Sequence, residues 1–348
     1  MKDAMKKTIR AMPKAELHRH LEGSVRTRTI IELARKHKLP LPTFDEPELD
    51  KIVKLKEPMK SLADVLRLFT IAQSVFVSLE AVERITHEAL EDAAERENIR
   101  LLELRYSPDF MLRGKGLDWA QAHAVIAKTI RAFEKKHDLV GGIIVIASRC
   151  YGLESAARTV EFALAHRKTV IGFDFADNEN DYPPALFKDL VPKLHAAGIP
   201  LTVHSGEEGT PEAMRQTIEL LSPRRIGHGV KAAEDRTGRT LDLVRRRGIT
   251  LETNPISNWL THAVPALEAH PLKRFLDSGV KATIGADDPG ALDTDLNKEY
   301  AAAVEEIGLS LADLRRANEY AVQGSFLEGD KRQQAERWLK AAPASVCG

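Results

Sequence analysis

Short apolar segments alternate with longer amphipathic segments along almost the whole chain, and this alternation constrains the fold more than any other feature. The runs at 143–148 (IIVIAS) and 170–175 (VIGFDF) are apolar nearly throughout, which is typical of strands buried on both faces of a parallel sheet. We predict eight such strands, at residues 16–20, 99–105, 143–148, 170–175, 200–204, 225–228, 249–253 and 281–286.

The segments between these strands have the spacing of amphipathic helices. Gly198 and Gly248 directly follow two of them, and glycine is a common helix stop. A longer segment, 43–96, separates the first two strands and is expected to form extra helices beside the site. The clearest helices are predicted at 117–137, 153–166, 185–197 and 234–247.

Eight strands joined by crossover helices favour a closed (β/α)8 barrel of the TIM type over an open, doubly wound sheet. The predicted fold class is therefore α/β, with extra helices inserted after strand one. A length of 348 residues suits one barrel with insertions. Neither a Pro/Ser-rich linker nor a change in composition divides the chain, so we expect residues 1–348 to form a single domain.

The charge balance argues against several functional classes. The 51 basic and 51 acidic residues give a formal net charge of zero, which disfavours a nucleic-acid binder and a polybasic membrane-surface protein. With two cysteines, Cys150 and Cys347, a structural disulfide is not expected. The N-terminus does not resemble a signal peptide, and no run reaches the ~18 apolar residues of a membrane span. We expect a cytoplasmic protein, whose oligomeric state the sequence leaves open.

Histidines and carboxylates stand at the ends of several predicted strands. Strand one ends in His18-Arg19-His20, and residues two apart on a strand point to the same face. A single histidine at a strand end is more often a satisfied polar residue. A barrel, however, collects the carboxyl ends of its strands at one mouth, so their joint occurrence indicates a site. The further members are His204 and Glu207 after strand five, His228 after strand six, and Asp287 and Asp288 after strand eight.

Three imidazoles and a carboxylate form a donor set that suits zinc better than magnesium or calcium, because borderline-soft nitrogen ligands favour it. Other transition ions could occupy the same donors. Such a metal makes water a usable nucleophile near neutral pH. A base must then take a proton from the water, and an acid must protonate the atom that gains charge. The sequence therefore predicts a hydrolytic metal centre at the barrel mouth.

Several ordered motifs resemble the adenosine deaminase family of zinc aminohydrolases. The matching segments run from Pro13 to Gly290, which makes the resemblance more specific than the histidine pair alone. It implies one zinc ion per chain and hydrolysis of the C6 amine of a purine nucleoside. Adenosine or 2′-deoxyadenosine would give inosine or 2′-deoxyinosine plus ammonia. The segments are PKAELHRHLEGS, ELRYSP, TVHSGEEGTPE, RIGHGVKAAED, NPISNWLT and IGADDPG.

The resemblance also implies a role for each residue at the strand ends. Glu207 would protonate the purine N1 as water adds at C6, and a raised pKa in a dry site would suit that role. His228 would orient the attacking water, act on its proton and stabilise charge. Asp288 would hold the water and accept a hydrogen bond from the N7 side of the purine. The zinc ligands would be His18, His20, His204 and Asp287, and the substrate contacts would be Glu22, His20, Asp177, Asp288, Ser257, Val65 and Phe69.

Several supporting residues also have a purely structural interpretation. Ser257 falls near the catalytic aspartate of the family, but a loop serine that caps a helix is equally compatible with its position. Val65 and Phe69 have the spacing of an apolar helix stripe, which is more often plain core than a purine pocket. Arg105 is expected to be a buried barrel arginine paired with a carboxylate. Glu208 is expected to face solvent or to cap the helix that follows.

Two departures from the family pattern leave the sugar end of the substrate open. Glu22 stands where adenosine-specific members usually have aspartate, and its extra methylene pushes the carboxylate further toward the sugar. Asp177 stands where they usually have glycine, so its side chain restricts backbone approach to N3 of the purine. Relatives acting on free adenine or 5′-modified adenosines often carry HLEG, but adenine-specific ones tend to have aspartate at Gly227. Adenosine ranks first, followed by a 5′-modified adenosine (aminodeoxyfutalosine or methylthioadenosine type) and free adenine.

Two functions outside this group of deaminases are also considered. An amidohydrolase acting on phosphoesters or cyclic amides would usually have a lysine that bridges two metals after strand four. This chain has Asp174-Phe175-Ala176 there, which disfavours a binuclear site. A catalytically inactive binding relative would be expected to lack Glu207 or a metal ligand, and the sequence contains them all.

Overall fold

The computed structural model describes residues 3–59 and 62–340, and for residues 62–67 it describes the backbone alone. Eight parallel strands form one sheet, in which each strand pairs with the next one in sequence. Apolar runs form these strands because helices cover the outer face and packed side chains fill the inner one. The strands are β1 (Lys14–His20), β2 (Ile99–Tyr106), β3 (Val140–Ser148), β4 (Val170–Ala176), β5 (Leu201–Ser205), β6 (Arg225–His228), β7 (Thr250–Thr253) and β8 (Lys281–Ile284).

Helices alternate with the strands around the sheet. They are α1 (Asp3–Ala11), α2 (Thr27–His37), α3 (Glu46–Val53), α4 (Leu62–Ser74), α5 (Leu79–Glu91), α6 (Pro108–Leu112), α7 (Trp119–Glu134), α8 (Gly152–Ala165), α9 (Val191–Ala196), α10 (Pro211–Leu221), α11 (Arg239–Arg247), α12 (Pro255–Leu260), α13 (Leu272–Asp277), α14 (Leu296–Glu305), α15 (Leu311–Gly324) and α16 (Gly329–Lys340). Helices α3 to α5 lie between β1 and β2, which confirms the predicted insertion. Among the described residues, no helix combines the length and the apolar character needed to cross a membrane.

The sheet closes into a barrel where the chain after β8 meets β1. The amide of Asp287 donates to the carbonyl of His18 over 3.0 Å, and the amide of His20 donates to the carbonyl of Asp287 over 2.8 Å. These bonds flank a parallel bridge between Arg19 and Asp287. The seam of the barrel therefore runs through the histidine pair, so closing the fold also places Asp287 beside these histidines.

Buried ion pairs fill the barrel interior beneath this seam. Arg105 is fully buried and donates to Asp174 and to Glu252, over 2.7 Å in each case, which confirms its predicted pairing with carboxylates. Arg225 links Glu252 to Glu103, with nitrogen–oxygen distances of 2.5 and 2.7 Å. Removing one partner from such a network leaves an uncompensated buried charge, which destabilises the fold strongly.

The predicted strands are all present, with ends that shift by up to three residues. The helix predicted at 185–197 is wrong over most of its length, because short 3-10 turns precede a six-residue α9. Pro192 stands in the first turn of α9, where the missing N–H of proline removes no intrahelical bond. The helix predicted from residue 234 begins at Arg239, because Gly238 adopts a φ of 75° and separates α11 from a preceding 3-10 turn.

Candidate active site

Five residues predicted from the strand ends meet at the mouth of the barrel. Four of them are buried and offer potential ligand atoms that all lie within 4.8 Å of one another: His18, His204, His228 and Asp287. His20 lies beside this group, with Nε2 3.3 Å from Oδ1 of Asp287 and its ring centroid 5.4 Å from that of His204. The structure thus brings together the four predicted metal ligands and His228.

Buried carboxylates orient two of these imidazoles. His18 Nδ1 lies 2.8 Å from Glu252, and His204 Nδ1 lies 2.9 Å from Asp174. Burial opposes ionisation of both carboxylates, but Arg105 and the histidines outweigh it and hold the pKa of Glu252 and of Asp174 below its usual range. Ionised carboxylates accept hydrogen bonds, so each Nδ1 carries the proton and each Nε2 is left with a lone pair. Histidines that bind metals are usually oriented in this way.

The free nitrogen of His18 faces Asp287. His18 Nε2 is buried and makes no hydrogen bond, although Oδ1 of Asp287 lies 3.1 Å away. Burial opposes ionisation of Asp287, but positive charge on His18, His20 or His228 would hold the pKa of this carboxyl well below its usual range. A bound cation would supply that charge while the imidazoles stay neutral. Imidazole lone pairs and an ionised carboxylate are the ligands of a cation, so these side chains form a site that a cation would fill.

Sequence reasoning assigned no role to Glu252 or Asp174 as partners of the imidazoles. A signal was present, since each is an acidic residue inside a predicted strand: Asp174 in the otherwise apolar VIGFDFA, and Glu252 beside Leu251 in TLET. A charged residue on such a strand requires a buried partner. Which partner each one has follows from strand register and could not be read from the motifs.

Backbone strain marks two members of the cluster. His228 and Asp287 have φ values of 63° and 59°, in the left-handed region that costs a non-glycine residue about 1–3 kcal/mol. Ser257 Oγ donates to Oδ2 of Asp287 over 2.8 Å. Ser257 lies inside α12 and makes no cap, so its side chain supports the aspartate instead.

Glu207 reaches the cluster from the loop after β5. Its Oε2 lies 3.3 Å from Nε2 of His228, and its Oε1 accepts a hydrogen bond of 3.1 Å from Thr261. Burial raises the pKa of Glu207 well above its usual range, and the negative charge of Asp287 adds to this effect. A glutamate in this environment keeps its proton above the pH at which an ordinary glutamate ionises, so it can donate that proton to a bound ligand. The adjacent Glu208 is exposed, which agrees with the prediction that it faces solvent.

Glu179 holds the loop that carries Glu207, a role that sequence reasoning missed. Its Oε2 accepts from the amide of Gly206 over 2.8 Å. Its Oε1 accepts from the amides of the next three residues over 2.8–2.9 Å. One buried carboxylate therefore takes four consecutive backbone N–H groups. No short motif reveals this contact, because it joins residues 27 to 30 positions apart.

We expect Glu179→Gln to lower kcat by about 10-fold, because hydrogen bonds to an ionised acceptor contribute more than neutral ones. An amide offers one oxygen, so its NH2 group would face at least one of the four N–H groups and displace the loop. The matched control is Asp181→Asn, which neutralises an exposed carboxylate in the same segment. Steady-state kinetics of both variants test this expectation, which equal kcat values would contradict.

Glu22 and Asp288 lie side by side at the edge of the cluster. Glu22 is buried, and its Oε1 accepts from the amide of Ser107 over 2.7 Å, whereas its Oε2 is buried without a hydrogen-bond partner. Burial raises the pKa of Glu22 to about 7 despite the opposing effect of His20. Burial, together with the charges of Asp287 and Glu22, raises the pKa of Asp288 well above its usual range. An unpartnered buried oxygen at the site is suited to a ligand hydroxyl or amine.

The remaining predicted contacts are less closely associated with the cluster. Asp177 is exposed and has a φ of 81°, so the backbone keeps a conformation that favours glycine. Its carboxylate accepts from the thiol of Cys150 and from the amide of Asn178, over 2.8 and 2.9 Å. Phe69 is half-buried in α4. The side chain of Val65 lies outside the described residues.

We expect Asp177→Ala to destabilise the fold by about 1 kcal/mol, while Asp177→Gly leaves the free energy of unfolding nearly unchanged. Aspartate tolerates a positive φ through local hydrogen bonds, and glycine tolerates it without a Cβ, but alanine has neither advantage. Urea unfolding of the wild type and the two variants measures their free energies of unfolding. Equal stability of the alanine and glycine variants would show that the positive φ carries no strain.

A family model for adenosine deaminase matches residues 13–339. The chain belongs to the adenosine deaminase family. An adenosine deaminase of Shigella flexneri is 34% identical over 322 residues, which cover 92% of this chain and 96% of that relative.

Solved structures of deaminases share the barrel. Adenine deaminase from Arthrobacter aurescens superposes with a TM-score of 0.86 at 24% identity, covering 95% of this chain and 100% of that one. The N6-methyl-AMP deaminase of Arabidopsis thaliana gives 0.83 at 25% identity, with coverages of 97% and 98%. Family membership and these superpositions confirm the predicted hydrolytic deaminase class and the predicted (β/α)8 barrel.

Proposed function

We propose that the protein hydrolyses the C6 amine of a purine nucleoside, with adenosine or 2′-deoxyadenosine as the first candidate, at a zinc ion held by His18, His20, His204 and Asp287. One observation carries this proposal. Carboxylates hold the Nδ1 atoms of His18 and His204, Nε2 of His18 lies 3.1 Å from Asp287, and Glu207, whose pKa is raised by burial, lies beside this group. This is the arrangement of an oriented metal centre with an acid next to it.

The donor set fits zinc in charge and in chemistry. Three imidazole nitrogens and one carboxylate match the ligands that zinc takes in hydrolytic sites. No thiolate competes among the described residues of the cluster, since Cys150 contacts Asp177 instead. When bound, zinc acts as a Lewis acid that makes water a competent nucleophile near neutral pH.

The side chains around the metal position divide the proton transfers between them. Glu207 donates its proton to N1 of the purine, so the ring becomes electron-poor at C6, where the attacking water adds. Asp288 holds that water on the side of the base that carries N7. His228, at the end of β6, also orients the water. Asp288 takes one proton from the water as it adds at C6 and passes this proton to the leaving amine. The proton of the new C6 hydroxyl returns to Glu207 as ammonia departs, and the product is the corresponding 6-oxopurine nucleoside.

The sugar end of the substrate is assigned to Glu22. Its Oε1 is fixed by the amide of Ser107, which leaves the buried and unpartnered Oε2 as the atom able to meet a substrate group. A ribose hydroxyl would satisfy this oxygen, and so would a substituent at the 5′ position. The chain has Gly227 where adenine-specific relatives tend to have aspartate, and a Cβ at this position would lie 3.1 Å from Cε1 of His18. We therefore place a nucleoside ahead of free adenine.

A substrate panel tests this proposal. We expect the zinc-loaded protein to convert adenosine and 2′-deoxyadenosine, with weaker turnover of free adenine, as measured by the absorbance change on loss of the amine. A 5′-substituted adenosine and AMP complete the panel. Chelation should abolish turnover, and added zinc should restore it. Full zinc loading without deamination of any of these purines would overturn the proposal.

A further inference from the structure

A line of hydrogen bonds lies behind His228, on the side away from the cluster. It starts at the backbone amide of Leu272, the first residue of α13, and passes through His270 and Asn258 to Nδ1 of His228. Both intermediate side chains are buried. The mechanism described above uses neither of them, so their contacts require a separate account.

The direction of the first bonds in this line is fixed by chemistry. The amide of Leu272 can only donate, so Nδ1 of His270 accepts its hydrogen bond of 3.2 Å. The proton of a neutral His270 then sits on Nε2, which lies 3.1 Å from Oδ1 of Asn258. Burial lowers the pKa of His270 to about 3, so this imidazole stays neutral. His270 is therefore a donor to Asn258.

The orientation of Asn258 follows from a second donor. Its Oδ1 also accepts from the backbone amide of Asn254, over 3.3 Å, so the oxygen and nitrogen of this side-chain amide cannot be exchanged. Its Nδ2 consequently donates to Nδ1 of His228 over 2.8 Å. Asn254 adds another amide, whose Nδ2 lies 3.3 Å from the same ring nitrogen and 3.4 Å from the Glu252 carbonyl.

We infer that His270 and Asn258 are positioning residues that hold His228 in the neutral tautomer with its proton on Nε2. A proton on Nδ1 would face two amide N–H groups, donor against donor. The Nε2–H group points into the site, 3.3 Å from Glu207 and 3.9 Å from Asp287. This inference deepens the proposed function and rests on it. His228 then acts as a hydrogen-bond donor that orients the attacking water and stabilises charge on its oxygen, and Asp288 accepts the proton of that water.

Asn258→Asp tests the inference with almost no change in shape. Carboxylate oxygens still accept from Asn254 and His270, but one of them now faces Nδ1 of His228 and requires a proton there. We expect His228 to gain a proton on Nδ1, as seen in proton–nitrogen correlation NMR of protein carrying isotope-labelled histidine. The His228→Gln variant assigns the signal by its absence. We expect kcat/KM for adenosine to fall by about 100-fold or more, with zinc content unchanged.

Asn258→Ala is the matched control. It removes the same side-chain contacts without placing an acceptor against His228, and Asn254 still donates to Nδ1. We expect this variant to keep the Nε2–H tautomer and to lose about 10-fold in kcat/KM, the value of one ordinary hydrogen bond. A role in packing alone predicts the opposite order, with alanine at least as harmful as aspartate. Thermal unfolding of both variants checks that each one folds.

Three results would overturn the inference: a proton on Nδ1 in the wild type, an unchanged tautomer in Asn258→Asp, or equal losses in the two variants. The NMR readout needs no turnover, so it separates this inference from the proposed function. A wild type with the Nε2–H tautomer but no activity on any purine would support the tautomer and contradict the deaminase proposal. An active wild type with a proton on Nδ1 would support the deaminase proposal and contradict the inferred tautomer.

Discussion

Glu207→Gln is expected to lower kcat on adenosine by about 100- to 10,000-fold, the range that a positioned general acid contributes. Glutamine keeps the shape of the side chain and its contact with Thr261, but it has no acidic proton to give to N1. Zinc content should stay at the wild-type level, because Glu207 is outside the proposed ligand set. Stopped-flow or steady-state kinetics together with metal analysis measure both quantities on the same preparation.

The adjacent Glu208→Gln supplies the control, since that carboxylate is exposed and should be replaced without loss of turnover. The pH profile gives an independent check. The pKa of Glu207 is raised by burial and by Asp287, so the acid form persists above the pH at which an ordinary glutamate ionises. Activity should therefore decline as pH rises through this raised pKa. An unchanged kcat in Glu207→Gln, or its loss together with the zinc, would contradict the role of general acid.

The overall fold and the clustered residues were predictable from the sequence for a physical reason. Strands buried on both faces must be apolar almost throughout, and the crossover helices between them must be amphipathic. Each element can therefore be recognised from the hydrophobic pattern of its own residues. In a barrel, the carboxyl ends of the strands share one mouth. His18, His204 and Asp287 could therefore be placed together although they lie far apart in the chain.

The supporting contacts were not predictable in this way. Glu179 meets the loop of Glu207, and His270 meets Asn258, through side chains whose direction depends on packing and on loop geometry. The segment before α9 shows the same limit. Its apolar spacing favoured one continuous helix from residue 185, but α9 begins at residue 191, one residue before Pro192. The positive φ of Asp177 is a further example. Aspartate in place of the usual glycine suggested a different backbone conformation, but the structure keeps a φ that favours glycine.

Gly23→Ala is expected to reduce kcat/KM by at least about 100-fold, because a displacement of 1 Å in a reacting group can cost that much. A Cβ on Gly23 would lie 1.8 Å from Oδ1 of Asp288 and 2.5 Å from its Cβ and Cγ. The carbonyl of Gly23 also accepts from the amides of Gly290 and Ala291, over 2.7 and 3.1 Å. The two segments are bound to each other by these hydrogen bonds, so they cannot simply separate.

The φ of Gly23 lies outside the left-handed region that excludes alanine, so the clash with Asp288 is the whole of the expected effect. Gly324→Ala is the control, since its Cβ would meet Thr250 Oγ1 at 3.0 Å, away from the site. Kinetics, zinc content and thermal unfolding of both variants should show turnover lost in Gly23→Ala alone, with the metal retained. If Gly23→Ala kept wild-type kcat/KM, the aspartate would tolerate displacement, and the role of Asp288 in holding the attacking water would have to be abandoned.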